Sequence, residues 1–175
     1  MSSLQATQVS VACADVTDFK ADALVLKFAQ NLYGADLAIY NRLNPEQRAV
    51  PMPAIGQHIW HRTRGILGVD AVFFLGVASL YTFGYSEIRD FAARAVETVD
   101  TELPNASHLA LTIHGPGYGL DEVEAFESAL AGVIDAYSGP SFQDSKLRWY
   151  PAKKEQEMTG IKRKNFTGEL KARVA

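Results

Sequence analysis

The stretch Leu109-Ala-Leu-Thr-Ile-His-Gly-Pro-Gly-Tyr-Gly-Leu-Asp121 constrains this chain more than any other. An apolar run breaks into three alternating glycines and then opens a long segment of helical periodicity. A strand feeding a helix through a glycine loop is part of a βα unit, and such units in series stack into a layered α/β fold. The loop also has the make-up of a phosphate cradle. Glycines let backbone approach an anion, and the unpaired N–H groups of a first helical turn offer it donors and partial positive charge. Gly115, Gly117 and Gly119 are therefore candidate binding residues, with Tyr118 as a stacking group and His114 as a protonatable donor.

The remaining pattern supports this layering. Gln8–Cys13 alternates apolar with polar residues and reads as a half-buried strand, while Ala23–Phe28 and Ala71–Val77 are continuous apolar runs expected of interior strands. Asp15–Asp18 supplies turn chemistry between the first two strands. Gly34–Leu43 predicts a short helix with Leu37, Ala38, Tyr40 and Leu43 inward, followed by a loop over residues 44–53 and a strand over Gly56–Arg62. Ser86 is a good N-cap for a helix over Glu87–Thr101, whose apolar face is Ile88, Phe91, Ala92, Ala95, Val96 and Val99. His108–Ile113 is the strand before the glycine loop. Asp121–Tyr137 is the helix after it, with Val123, Phe126, Leu130, Val133, Ile134 and Tyr137 inward. Lys146–Tyr150 predicts a last, edge strand, and the final 25 residues read as a charged, weakly helical segment broken by Gly160 and Gly168.

Charge divides the chain. Residues 1–140 carry 16 acids against 8 bases, whereas residues 141–175 carry 9 bases against 4 acids. The acidic body is a poor surface for nucleic acid, which leaves the basic tail as the segment that would meet RNA, phosphates or an acidic partner. No run reaches the ~20 apolar residues needed to cross a bilayer, and the N-terminus lacks signal-peptide character, so a cytoplasmic protein without membrane association is expected. The single cysteine, Cys13, lies in an alternating run and is expected to be a small buried side chain.

Two short motifs resemble those of the macro domain, a family whose relatives include the N-terminal domain of leucyl aminopeptidases. The family's Gly-Asp-Ile-Thr turn before a Val-Asp-Ala-Ile-Val strand is similar to Ala14-Asp15-Val16-Thr17 before Ala21-Asp22-Ala23-Leu24-Val25. Its Ser-Thr-Gly-hydrophobic-Tyr/Phe-Gly loop resembles Gly115-Pro116-Gly117-Tyr118-Gly119. The likeness spans roughly residues 8–150, and implies a macro-like α/β domain over 1–150 with a basic, partly helical or flexible extension over 151–175. It also implies three layers, a central mixed sheet flanked by helices. By this resemblance Asp15 would accept a hydrogen bond from an adenine amino group, with Val16 as the neighbouring backbone contact. Gly115, Gly117, Tyr118 and Gly119 would hold phosphates and cover a ribose, and Gly34 and Ala35 would line the opposite wall. The chain departs from the family in two places. Its first glycine loop keeps only Gly34, and Lys27-Phe-Ala-Gln-Asn31 replaces the Asn-Ala-Ala-Asn run that supports hydrolysis.

Other chemistry lacks the residues it needs. No Ser-His-Asp, Cys-His or Walker-type spacing is present. His58 and His61, three apart in a strand, point to opposite faces and do not form a metal pair. No catalytic residue, metal or cofactor is assigned. The expected function is a non-catalytic binding or sensing module for a nucleotide derivative such as ADP-ribose or an NAD-derived signal, working within a larger protein, complex or homo-oligomer. A protein-interaction module with a degenerate ligand site is the alternative, and an ADP-ribosyl hydrolase the second.

Overall fold

The computed structural model describes residues 7–12, 14–46, 50–138 and 169–174. Six strands form one mixed sheet in the order β1-β6-β5-β2-β4-β3. These are β1 (Thr7–Ala12), β2 (Ala21–Phe28), β3 (His58–Arg62), β4 (Val69–Gly76), β5 (His108–Thr112) and β6 (Glu169–Val174). Strands β4 and β5 run parallel to β2 on either side of it, while β3 is antiparallel to β4, and β6 is antiparallel to both β5 and β1.

Strands β2 and β4 have no polar face because helices cover both sides of the sheet. Ala23, Val25, Ala71, Phe73 and Leu75 enter one apolar cluster with helices α2 (Tyr85–Glu102) and α3 (Glu122–Ser138). The alternate residues Leu24, Leu26, Val72 and Phe74 enter a second cluster with Ile39 of helix α1 (Gly34–Leu43). The result is three layers: two helices, the sheet and one helix.

The six residues expected to form the inner face of α2 are the six it buries. Its start differs from expectation. Gly84 occupies the N-cap, with its N–H donating to the Glu87 carboxylate at 2.8 Å, and Ser86 lies inside the helix, also bonded to Glu87. A glutamate reaching back from the first turn satisfies the amide that a serine cap would have left to water.

The inner face of α3 is also corrected. Val123 is exposed, and the buried stripe is Ala125, Ala129, Gly132, Val133 and Ala136. Small residues are required because α2 crosses very closely: a Cβ at Gly132 would collide with the Arg89 carbonyl oxygen. In α1 the buried residues are Asp36 and Ile39, and Leu37 faces solvent. The helix is rotated so that an acid points inward.

The C-terminal segment brings the largest change. Glu169–Val174, expected to be helical or flexible, is a strand inserted between β1 and β5, with Leu170 opposite both Val11 and Leu111. Alternation over Glu-Leu-Lys-Ala-Arg-Val carried a strand period that the charge density obscured. Cys13 and the strand expected at Lys146–Tyr150 lie outside the described residues.

Substituting Gly132→Ala is expected to cost about 1–3 kcal/mol by overpacking the α2–α3 crossing. The check is urea unfolding, with the midpoint falling and the slope unchanged.

Candidate functional site

Strands β2 and β5 pair only from Ala23↔Leu109 to Val25↔Leu111, whereas β2 goes on pairing with β4 up to Phe28↔Gly76. Beyond Val25 and Leu111 the two strands part. The chain leaves β2 through α1 on one face of the sheet and leaves β5 through α3 on the other. Adjacent parallel strands whose connections depart to opposite faces make a crevice at their carboxyl ends, the usual place for a ligand in such sheets.

Three buried polar groups lie at this end. Lys27, near the end of β2, is 4% exposed and donates to Oδ2 of Asp36, itself 2% exposed, at 2.9 Å. The other carboxylate oxygen of Asp36 is buried with no hydrogen-bond partner. Burial pushes the Asp36 carboxyl above its ordinary range, opposed by the Lys27 charge. His114 is buried too, with Nε2 at 3.2 Å from the Thr112 hydroxyl and its ring edge-on to Phe83 and Phe91. Desolvation, helped by the Lys27 charge, holds it well below its ordinary value, so at neutral pH it is uncharged. It is a packed, hydrogen-bonded residue of the crevice wall and not the cationic phosphate donor that its place beside the glycines suggested.

The glycine loop forms a single 3₁₀ turn, Pro116–Tyr118, closed by the Tyr118 N–H donating to the Gly115 carbonyl at 2.8 Å. Gly115 (φ 113°) and Gly119 (φ 90°) both lie where side chains are strained, and a Cβ on Gly115 would also press on Leu120. A Cβ on Gly117 would meet nothing within 4 Å. Tyr118 is 52% exposed, and the charge of Asp36 and the phenol of Tyr33 both act on its hydroxyl, which places the loop beside the start of α1. Tyr33, 41% exposed, is the N-cap position of α1, and Gly34 (φ 50°) and half-buried Ala35 follow it.

The first turn of α3 is not an open anion site. Asp121 Oδ1 accepts the N–H groups of Val123 and Glu124 at 2.9 and 3.1 Å, and Glu122 and Glu124 add negative charge there. Any anion at this crevice must use the loop amides and Lys27 rather than the helix terminus.

Sequence-predicted residues thus fall into two groups. Gly34, Ala35, His114, Gly115, Gly117, Tyr118 and Gly119 belong to the loops around the crevice. Asp15 spends one carboxylate oxygen on the N–H and hydroxyl of Thr17, both at 2.8 Å, and feels Arg42 in the last turn of α1, the end away from Gly34. Val16 packs on the α1-side cluster. Lys27 and Asp36 were missed as site residues. The available signal was a lone lysine in an apolar strand and a lone acid in the first turn of the next helix.

Lys27→Met is expected to cost about 3–5 kcal/mol, because it leaves the Asp36 carboxyl buried without its cation. Lys27→Met combined with Asp36→Leu should recover most of that loss in denaturant titrations. His114 gives a pH signature. Its folded pKa is depressed, so the unfolded chain binds the extra proton, and stability is lost as pH falls below about 6.5 by up to ~1.4 kcal/mol per pH unit. Asp36 acts with opposite sign above the ordinary carboxylate range, since its folded form holds the proton more tightly. Comparing wild type with His114→Gln isolates the histidine: the variant should show a shallower fall in stability below pH ~6.5.

Compared with known proteins, the chain matches no family model and no curated relative.

Proposed function

We propose that this chain is a non-catalytic binding or sensing module for a nucleotide derivative such as ADP-ribose or an NAD-derived signal, with a macro-like site, acting in the cytoplasm as part of a larger assembly. The observation that carries this reading is the buried, unpartnered oxygen of Asp36 at the head of the β2–β5 crevice. A buried acceptor without a donor costs about 1–3 kcal/mol, and a ligand hydroxyl or N–H placed there removes the cost. Lys27, whose ammonium has three N–H donors and gives one to Asp36, adds a donor to the same spot.

The surroundings support a ligand with a ring and a sugar or phosphate. Exposed Tyr33 and Tyr118 offer aromatic faces, and the glycine loop brings backbone close without side-chain obstruction at Gly117. Asp121, Glu122 and Glu124 beside that loop disfavour a highly charged ligand such as a free triphosphate.

Calorimetric titration with ADP-ribose, and with NAD alongside, tests this reading on wild type, Gly117→Glu and Asp36→Asn. A Cβ at Gly117 meets nothing within 4 Å, so the glutamate variant places a negative group in the loop, and its melting curve establishes that it is folded. Saturable binding to wild type is expected, abolished in Gly117→Glu and weakened about tenfold in Asp36→Asn. Absence of heat with both ligands from folded wild type overturns the proposal.

A further inference from the structure

The opposite end of α1 borders a second concave surface. A groove of about 580 Å³ lies between α1 and the edge strand β3, with an apolar floor that includes Tyr40, Met52, Ile59 and Phe74. Exposed Arg64 stands on its lining, exposed Arg62 borders it from the opposite face of β3, and among the described residues the lining holds no aspartate or glutamate. Among the described residues neither arginine is in an ion pair. Arg62 rests over the Trp60 ring at 5.7 Å.

Strand β3 also presents open backbone. Among the described residues it pairs with β4 on one side only. The N–H of Thr63 donates to Asp70, and the N–H of Gly76 donates to Gln57. With the register of His58↔Leu75 to Arg62↔Ala71, the residues bonded to β4 are therefore the odd-numbered ones. His58, Trp60 and Arg62 turn their N–H and carbonyl groups outward. On the α1 side of β3 stands Ile59, in the groove, and on the other side stand Trp60, stacked on Phe73, and Arg62.

We infer that the β3 edge and its groove bind an extended acidic peptide as an added antiparallel or parallel strand, with alternate apolar side chains in the groove and carboxylates facing Arg62 and Arg64. The free edge supplies main-chain hydrogen bonds, the apolar floor supplies burial, and the unpaired arginines set the sign of the partner. A second copy of this chain fits less well. Antiparallel self-pairing of β3 about Trp60 places Arg62 opposite His58 at both ends and so brings no carboxylate to the arginine. Among the described residues Glu102 is the one acid whose side chain bonds to this strand, and its two oxygens are engaged by His58 and Trp60 at 3.0 and 3.2 Å.

Fluorescence polarisation of a dye-labelled, end-blocked peptide of alternating glutamate and valine tests this on the full chain. Saturable binding is expected to wild type and to His58→Ala. It should be lost in His58→Pro, which removes an outward N–H but no ladder bond, and weakened about tenfold or more in Arg62→Glu with Arg64→Glu. Melting curves establish that each variant is folded. Equal binding of a lysine–valine peptide, retention of binding by folded His58→Pro, or no binding to folded wild type each overturns the inference.

Discussion

Burial of β2 on both faces is the constraint from which the rest of this structure follows. Ala23, Leu24, Val25 and Leu26 are all fully buried, and consecutive strand residues face opposite ways. Such a strand cannot lie on a two-layer fold, since one of its faces would meet water. It requires helices on both sides. That requirement assigns α1 to one layer and α2 with α3 to the other, and it sends the connections after β2 and β5 in opposite directions. The crevice is thus a geometric product of a strand without a polar face.

Where this burial ends, charge begins. Lys27 follows the four apolar residues directly, still deep enough to be desolvated, and its ammonium needs an anion that water cannot supply. Asp36 meets it from the first turn of α1, and this contact fixes the rotation of the helix about its own axis. Ile39 then follows inward and Leu37 is carried outward. A helix with weak amphipathicity is oriented here by a polar contact more than by its apolar stripe. A buried pair of this kind adds little net stability over an apolar one, and here it leaves the second Asp36 oxygen buried without a hydrogen-bond partner.

The sequence made some levels of this structure legible and hid others. The layered class, the turn at Asp15–Asp18, the inner face of α2 and the glycine loop were readable because local signals, period and turn chemistry decide them. The inner face of α3 was legible in part: Val133, Phe126 and Tyr137 do meet the core, but the small buried residues Ala125, Ala129, Gly132 and Ala136 were hidden, because the close approach of α2 selects them and α2 is remote in sequence. β6 was hidden because its alternation is written in lysine, arginine and glutamate, residues that read as a solvated tail until a position between two strands is known. In the site, the glycines were found and the ion pair was not. Lys27 and Asp36 lie on different elements, and nothing local says that they meet. The α3 terminus was expected to offer open donors, but Asp121 Oδ1 already accepts two of its amides, a local bond that the glycine pattern does not reveal.

The place of β6 bears on how such a chain matures as it is synthesised. β1 pairs with β6 alone, so Thr7 finds its partner at Val174. On a ribosome the first strand emerges with no ladder to join, and it waits unpaired while β2, β4 and β5 assemble their parallel core. Closure is an event of very long contact order, and until it occurs β1 and one side of β5 lack their β6 partner and are open to other strands. The interval most open to mispairing therefore precedes the insertion of β6 between β1 and β5.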